Sequence, residues 1–205
     1  ILAWAGADVA ISSQLYIDGR WPIGGQFPWK FLYWLDRKPA IILASIGLAS
    51  AIYGLFKVRW RHLVNPGLFL VLLLAIGPGL FVNAIFKDNW GRPRPREIKQ
   101  FGGAMEFRQP WQPGIRGKGR SFPSGHSSAA FYLCSPYFIF RRKKPALANI
   151  CLAGGVLFGI AMSYARIAQG GHFLTDTLWS FGMVWLVAVV LARLMLDKNP
   201  EKVLE

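Results

Sequence analysis

Five stretches of this chain, 39–56, 66–86, 122–140, 146–166 and 173–196, approach the roughly 20 apolar residues that a helix needs to cross a bilayer. Hydrocarbon offers no water to pair with peptide groups, so a crossing segment must satisfy its own backbone, as a helix does. The expected fold class is therefore all-α, a polytopic transmembrane helix bundle with five clear spans. Composition agrees: 53% of the 205 residues are hydrophobic and 15% aromatic, more than a soluble core of this size requires. The segment "ILAWAGADVAISSQLY" is shorter and more interrupted. It is expected to be helical, either as a truncated first span or as an interfacial helix. The chain starts at Ile1 without a methionine, which leaves room for a further span upstream. No repeat, low-complexity tract or soluble second unit is visible, so 1–205 reads as one integral membrane domain.

The formal charge is +14. In a soluble chain that would point to nucleic acid; between membrane spans it points to anionic headgroups. Cys134 and Cys151 both fall in apolar stretches and read as buried thiols, which excludes a disulfide framework or a thiolate metal cluster. Short cytoplasmic loops carry excess Lys and Arg, so "KVRWRH" (57–62) and "RRKKP" (141–145) are expected on the cytoplasmic face. Alternation then puts the loop 87–121 and the turn 167–171 together on the other face. That outer loop nonetheless holds nine Lys/Arg, at 87, 92, 94, 96, 99, 108, 116, 118 and 120, against the usual bias. Trp21, Trp29, Tyr33, Trp34, Trp90 and Trp111 read as aromatic belts at headgroup level.

Three polar pieces interrupt the apolar pattern. In "KDNWGRPRP" (87–95), Lys87 supplies a point charge and Arg94 a planar fork suited to two phosphate oxygens, while prolines stiffen the backbone around it. In "GRSFPSGHSSAAFYL" (119–133), Ser124 is a plausible N-cap, Gly125 allows close approach, and the amides of Gly125 and His126 face outward at the positive end of a helix. His126 could deliver a proton to a leaving oxygen. In "SYARIAQGGHFLTD" (163–176), Arg166 ends one span, two glycines turn the chain, and His172 and Asp176 sit four apart on one helical face. The carboxylate can then accept from one imidazole nitrogen and leave the other free. An acid inside a span is expensive unless paired, so Asp176 is expected to be functional.

Together these pieces resemble the three signature motifs of the type-2 phosphatidic acid phosphatase superfamily: Lys-x6-Arg-Pro, Pro-Ser-Gly-His and Arg-x5-His-x3-Asp, in that order. The resemblance implies a six-helix plan and metal-independent hydrolysis of phosphate esters through a phosphohistidine, with no cofactor. It implies His172 as nucleophile, Asp176 as its orienting group and His126 as the leaving-group acid, with Lys87, Arg94, Ser124, Gly125 and Arg166 holding the phosphoryl oxygens. Soluble vanadium haloperoxidases share the motifs, but the spans argue against one.

A site at the membrane face implies a lipid phosphate, with the bilayer itself as the other partner; no nucleic acid and no obligate protein partner are indicated. The insert "REIKQFGGAMEFRQPWQPGIRGKGR" looks most like that of bacterial enzymes acting on lipid A, with prenyl diphosphate and phosphatidylglycerophosphate phosphatases close behind. Arg108, Arg116, Lys118 and Arg120 would suit a multiply charged headgroup. The expected location is a bacterial inner membrane with the site facing the periplasm or exterior. Two other readings remain open: a lipid phosphotransferase of the same superfamily, and a non-catalytic anionic-lipid binder or transporter.

Overall fold

A computed structural model describes residues 6–197. Of the N-terminal segment expected to be helical, residues 1–5 lie outside the described residues; the rest forms α1 (Ala7–Leu15), which packs on the two last helices. Next come α2 (Trp29–Leu35), α3 (Lys38–Phe56) and α4 (Val64–Leu74), the last continuing as a π-helical segment, Ala75–Lys87. The long loop leads to α5 (Gly125–Phe131) and α6 (Pro136–Phe140), then α7 (Pro145–Ala168) and α8 (Leu174–Met195). The described residues contain no strand beyond isolated bridges.

The sequence of α3 shows how the bundle closes. Its buried residues are Ala40, Ala44, Gly47, Ala51 and Gly54, at alternating intervals of four and three, so one face is entirely small. The other face carries Ile42 and Ile46, each 60% exposed, together with Leu55 and Phe56. Without a hydrophobic drive between helices in lipid, close backbone approach supplies the packing, and small residues permit it. Gly67 of α4 fits against that face: a Cβ there would overlap the Gly47 carbonyl oxygen and lie 2.9 Å from the Ala51 Cβ. The large side chains are left for the acyl chains.

Four helical stretches among the described residues are long and apolar enough to cross a membrane: Trp29–Phe56, which includes the turn between α2 and α3, Val58–Lys87, Pro145–Ala168 and Leu174–Met195. These correspond to four of the five spans expected. The remaining one, 122–140, differs. It is α5, a 3-10 turn at Tyr132–Cys134, and α6, broken where Pro136 lacks an amide hydrogen. Its serines at 124, 127, 128 and 135 are all buried. At about 1.5 Å per residue these sixteen or so residues fall short of a ~30 Å hydrocarbon core. They run through the bundle interior: Tyr132 donates to the Leu70 carbonyl at 3.0 Å, while Gly155 and Gly159 of α7 leave room for Cys134 and Phe131.

The second span is also altered. Pro78 lies inside the π-helical segment, and Asn83 Nδ2 donates to the Pro78 carbonyl at 2.6 Å, five residues back. Widened turns of this kind re-aim side chains at functional sites; here Asn83 and Lys87 are brought against Gly125. The loop after Lys87, the start of α5 and the α7–α8 turn thus meet at one end of the bundle. At the opposite end, Arg141 pairs with Asp197 just beyond α8, at 2.5 Å.

Gly67→Ala should destabilise the protein by about 1–3 kcal/mol, because the overlapping atom belongs to backbone and cannot swing away. Gly154→Ala, with nothing within 4 Å of the added carbon, should be neutral or slightly stabilising. Thermal denaturation in detergent compares the two.

Candidate active site

At the loop-bearing end lies a cavity of about 510 Å³. Lys87, Arg94, His126, Arg166 and His172 line it, so five of the eight expected site residues face one space although they come from three separate stretches of sequence. Trp21, Lys30, Tyr33, Arg96 and Gln169 complete most of the wall. The Nε atoms of Arg94 and Arg166 are buried without a hydrogen-bond partner. Orphaned guanidinium donors at a cavity are what an absent anion would satisfy.

His172 is 1% exposed and precedes α8 instead of opening it. The four-residue spacing therefore does not place His172 and Asp176 on one helical face, although the two side chains still lie near each other. The Nδ1 of His172 is 2.6 Å from the Ser121 carbonyl oxygen and 3.8 Å from Asp176 Oδ2. A carbonyl only accepts, so Nδ1 carries the proton and Nε2 keeps its lone pair. Burial, and the cations Arg166 and Lys87, push the imidazole down to about 4 despite the opposing pull of Asp176. At neutral pH the ring is uncharged, as a nucleophile must be.

Asp176 acts on this arrangement from behind. Its Oδ2 accepts from the Ser121 hydroxyl at 2.6 Å and from the Phe173 amide at 2.8 Å, the latter closing the first turn of α8. The carboxylate thus anchors Ser121, whose carbonyl in turn fixes the imidazole. Its Oδ1 accepts from Arg92 Nη1 at 2.5 Å.

Arg92 is fully buried and was counted in the sequence only as one loop cation among nine. Its Nη2 donates to Asp8 at 2.8 Å, its Nη1 also reaches Thr175 Oγ1 at 2.9 Å, and its Nε donates to the Arg108 carbonyl at 2.8 Å. Asp8 additionally accepts from the Thr175 amide at 2.9 Å and hydroxyl at 2.5 Å. The cluster's excess negative charge sits at the positive end of α8, where exposed amides offset it. Asp8 left one trace in the sequence: an acid within an otherwise apolar N-terminal run.

His126 stands across the cavity. Its Nε2 is 3.0 Å from Asp36 Oδ1, and its ring stacks on Tyr33 at 5.1 Å between centroids. The Arg166 guanidinium lies over the other contact of that ring system, 4.8 Å from the Tyr33 centroid, and its Nη1 bonds the Gln169 amide oxygen. Tyr33 and Trp21 therefore belong to the cavity wall and not to an aromatic belt, and Asp36 had no signal beyond lying in "LDRKP". Trp90 likewise turns inward, its indole donating to the Pro110 carbonyl at 2.8 Å.

Ser124 caps α5 as expected, accepting from the Ser127 amide at 3.3 Å, and its hydroxyl also bonds the Ser127 hydroxyl at 2.8 Å. It is buried and does not line the cavity. Gly125 does sit at the cation cluster, since a Cβ there would come within 2.8 Å of Lys87 Nζ. Among the cations expected to meet a charged headgroup, Arg120 pairs with Asp88 at 2.7 Å, while Arg108 and Lys118 line a separate hollow of about 310 Å³.

Arg92→Ala should cost about 3–5 kcal/mol, because it strands two buried carboxylates. Arg92→Lys should not restore stability, since one ammonium cannot reproduce the fork between Asp8 and Asp176. Thermal denaturation in detergent, with Asp8→Ala and the double variant, should show strong non-additivity.

A family model described as the PAP2 superfamily matches residues 68–200. A lipid A 4'-phosphatase of Francisella tularensis subsp. novicida is 34% identical over 176 residues, covering 82% of this chain and 76% of that protein. A lipid A 4'-phosphatase of Rhizobium leguminosarum is 33% identical over 127 residues, 60% of this chain and 50% of the relative. One from Rhizobium etli is 34% identical over 132 residues, 62% of this chain and 48% of the relative. No solved structure matches. With the family match covering more than half of the chain, including Lys87, Arg94, His126, Arg166 and His172 of the cavity, the chain belongs to the PAP2 superfamily.

Proposed function

We propose that this chain, a lipid phosphatase of the PAP2 superfamily, removes a phosphate from lipid A or a closely similar glycolipid through a covalent phosphohistidine. The observation that carries the mechanism is the His172 ring, neutral, buried and held by Nδ1 so that Nε2 is the available lone pair. The lipid A reading is supported by the relatives, which are lipid A 4'-phosphatases.

The reaction balances with this chain's own residues. His172 Nε2 attacks phosphorus and forms the P–N bond while the P–O bond to the lipid breaks. Burial and the nearby Arg166 hold the His126 imidazole below its ordinary value, with Asp36 opposing them; the negative charge of the bound phosphate adds to the pull of Asp36, so that His126 gives a proton to the departing alkoxide. Lys87, Arg94 and Arg166 neutralise the equatorial oxygens, which is where phosphoryl transfer needs most help. In the second half, His126 takes a proton from water, the hydroxide displaces histidine, and inorganic phosphate leaves. Asp176 and Ser121 hold His172 as it becomes cationic. No metal enters any step. The substrate's acyl chains stay beside the lipid-facing helices while the phosphate enters the cavity from the periplasmic side of an inner membrane.

Purified protein in detergent should release inorganic phosphate from lipid A in excess chelator, and more readily than from prenyl diphosphate, phosphatidylglycerophosphate or phosphatidic acid. Loss of activity in chelator with recovery on Mg²⁺ would refute the metal-free route. Phosphate appearing on a second lipid without release would make the enzyme a transferase.

Leaving-group dependence separates the histidines. His172→Ala should abolish turnover of every substrate. His126→Ala should cost about 10²- to 10⁴-fold on an alkyl phosphate, whose alkoxide needs a proton. It should cost far less on p-nitrophenyl phosphate, and Asp36→Asn should show the same profile in weaker form. Equal losses on both substrates would remove the acid role from His126.

A further inference from the structure

The catalytic cavity contains more positive charge than one phosphate can use. Five cationic side chains line it, Lys30, Lys87, Arg94, Arg96 and Arg166, and no carboxylate does among the described residues. Lys87, Arg94 and Arg166 occupy the motif positions and already exceed the charge of a phosphomonoester dianion. Lys30 and Arg96 are both exposed, and neither side chain has an ion-pair or hydrogen-bond partner among the described residues. Their backbones, by contrast, are fixed. Lys30 stands one turn before Tyr33 on α2, on the same side of that helix. Arg96 follows Pro95 in a 3-10 turn, and its amide donates to the Gly170 carbonyl at 3.2 Å, tying it to the turn that carries His172. Burial together with the nearby charge of Arg96 presses the Arg94 guanidinium below its ordinary value, with Glu97 opposing in part, so the cations feel one another. A volume of about 510 Å³ also exceeds what a phosphate fills, and falls within the ~300–1,000 Å³ of pockets that enclose whole small ligands.

Building on the lipid phosphatase reading, we propose that Lys30 and Arg96 form a second anion subsite in the mouth of the catalytic cavity, which takes a further phosphate or carboxylate carried by the same lipid headgroup. The subsite selects headgroups with two anionic groups over those with one and does not touch the reacting phosphorus. This assigns headgroup recognition to two residues that no motif contains, and moves it from the Arg108–Arg120 part of the loop to the cavity wall.

The test measures kcat/KM for a bisphosphorylated and a monophosphorylated form of one acylated glucosamine disaccharide, with p-nitrophenyl phosphate as a third substrate. In the wild type the bisphosphorylated form should be preferred. The Lys30→Ala, Arg96→Ala double variant should reduce that preference roughly tenfold, two partly exposed charge pairs being lost. The charge-retaining Lys30→Arg, Arg96→Lys pair should keep most of it. Raising salt should erode the preference in the wild type and not in the alanine variant. A wild type without preference, or a preference equally strong in the alanine variant, overturns the subsite while leaving the phosphatase reading intact. A wild type that turns over p-nitrophenyl phosphate but neither lipid overturns the lipid reading, and the subsite with it.

Discussion

The buried guanidinium of Arg92 is the contact on which the site's geometry depends. A charge removed from water is costly unless nearly every donor is met, and here Asp8, Asp176, Thr175 and the Arg108 carbonyl meet them. The result is a rigid joint between the first helix, the long loop and the start of the last helix. Asp176 is thereby held in place to receive Ser121, and Ser121 to receive His172. The His172 imidazole is positioned chiefly by a relay of hydrogen-bonded groups, with the Asp176 carboxylate 3.8 Å from its Nδ1.

The cations of the loop 87–121 are sorted by the fold into different places. Arg92 is buried between two carboxylates, Lys87, Arg94 and Arg96 line the cavity, and Lys99 and Arg120 pair with Glu106 and Asp88 at the surface. One run of sequence with one kind of charge therefore serves folding, reaction and solubility, and only tertiary placement distinguishes them.

The sequence made the helical architecture and the polar side chains that meet at the cavity legible for a physical reason: spans need length, and charged groups between spans stand out against the apolar pattern. Their supports were harder to see. Asp36 and Asp8 act on His126 and Asp176 from helices with no motif, and nothing local distinguishes Asp36 from an interfacial acid. The four-residue spacing of His172 and Asp176 suggests one helical face, but the helix starts only at Leu174, and the imidazole hydrogen-bonds the Ser121 carbonyl with Asp176 farther off. Hydropathy of 122–140 measured greasiness correctly, yet could not tell a helix bathed in lipid from one enclosed by other helices.

That enclosed segment has a consequence for biogenesis. A stretch broken at Pro136, with Ser124, Ser127, Ser128 and Ser135 all shielded from lipid, is a poor candidate for independent insertion by a translocon. Two of its polar groups are met by later parts of the chain: the Ser163 hydroxyl of α7 donates to Ser127, and the Ser180 hydroxyl of α8 donates to the Ser124 carbonyl. His126 can therefore reach its working position only after the ribosome has delivered α7 and α8. A nascent chain stopped short of them would carry His126 with no cavity to put it in, so the cavity arrives with the final helix and not gradually.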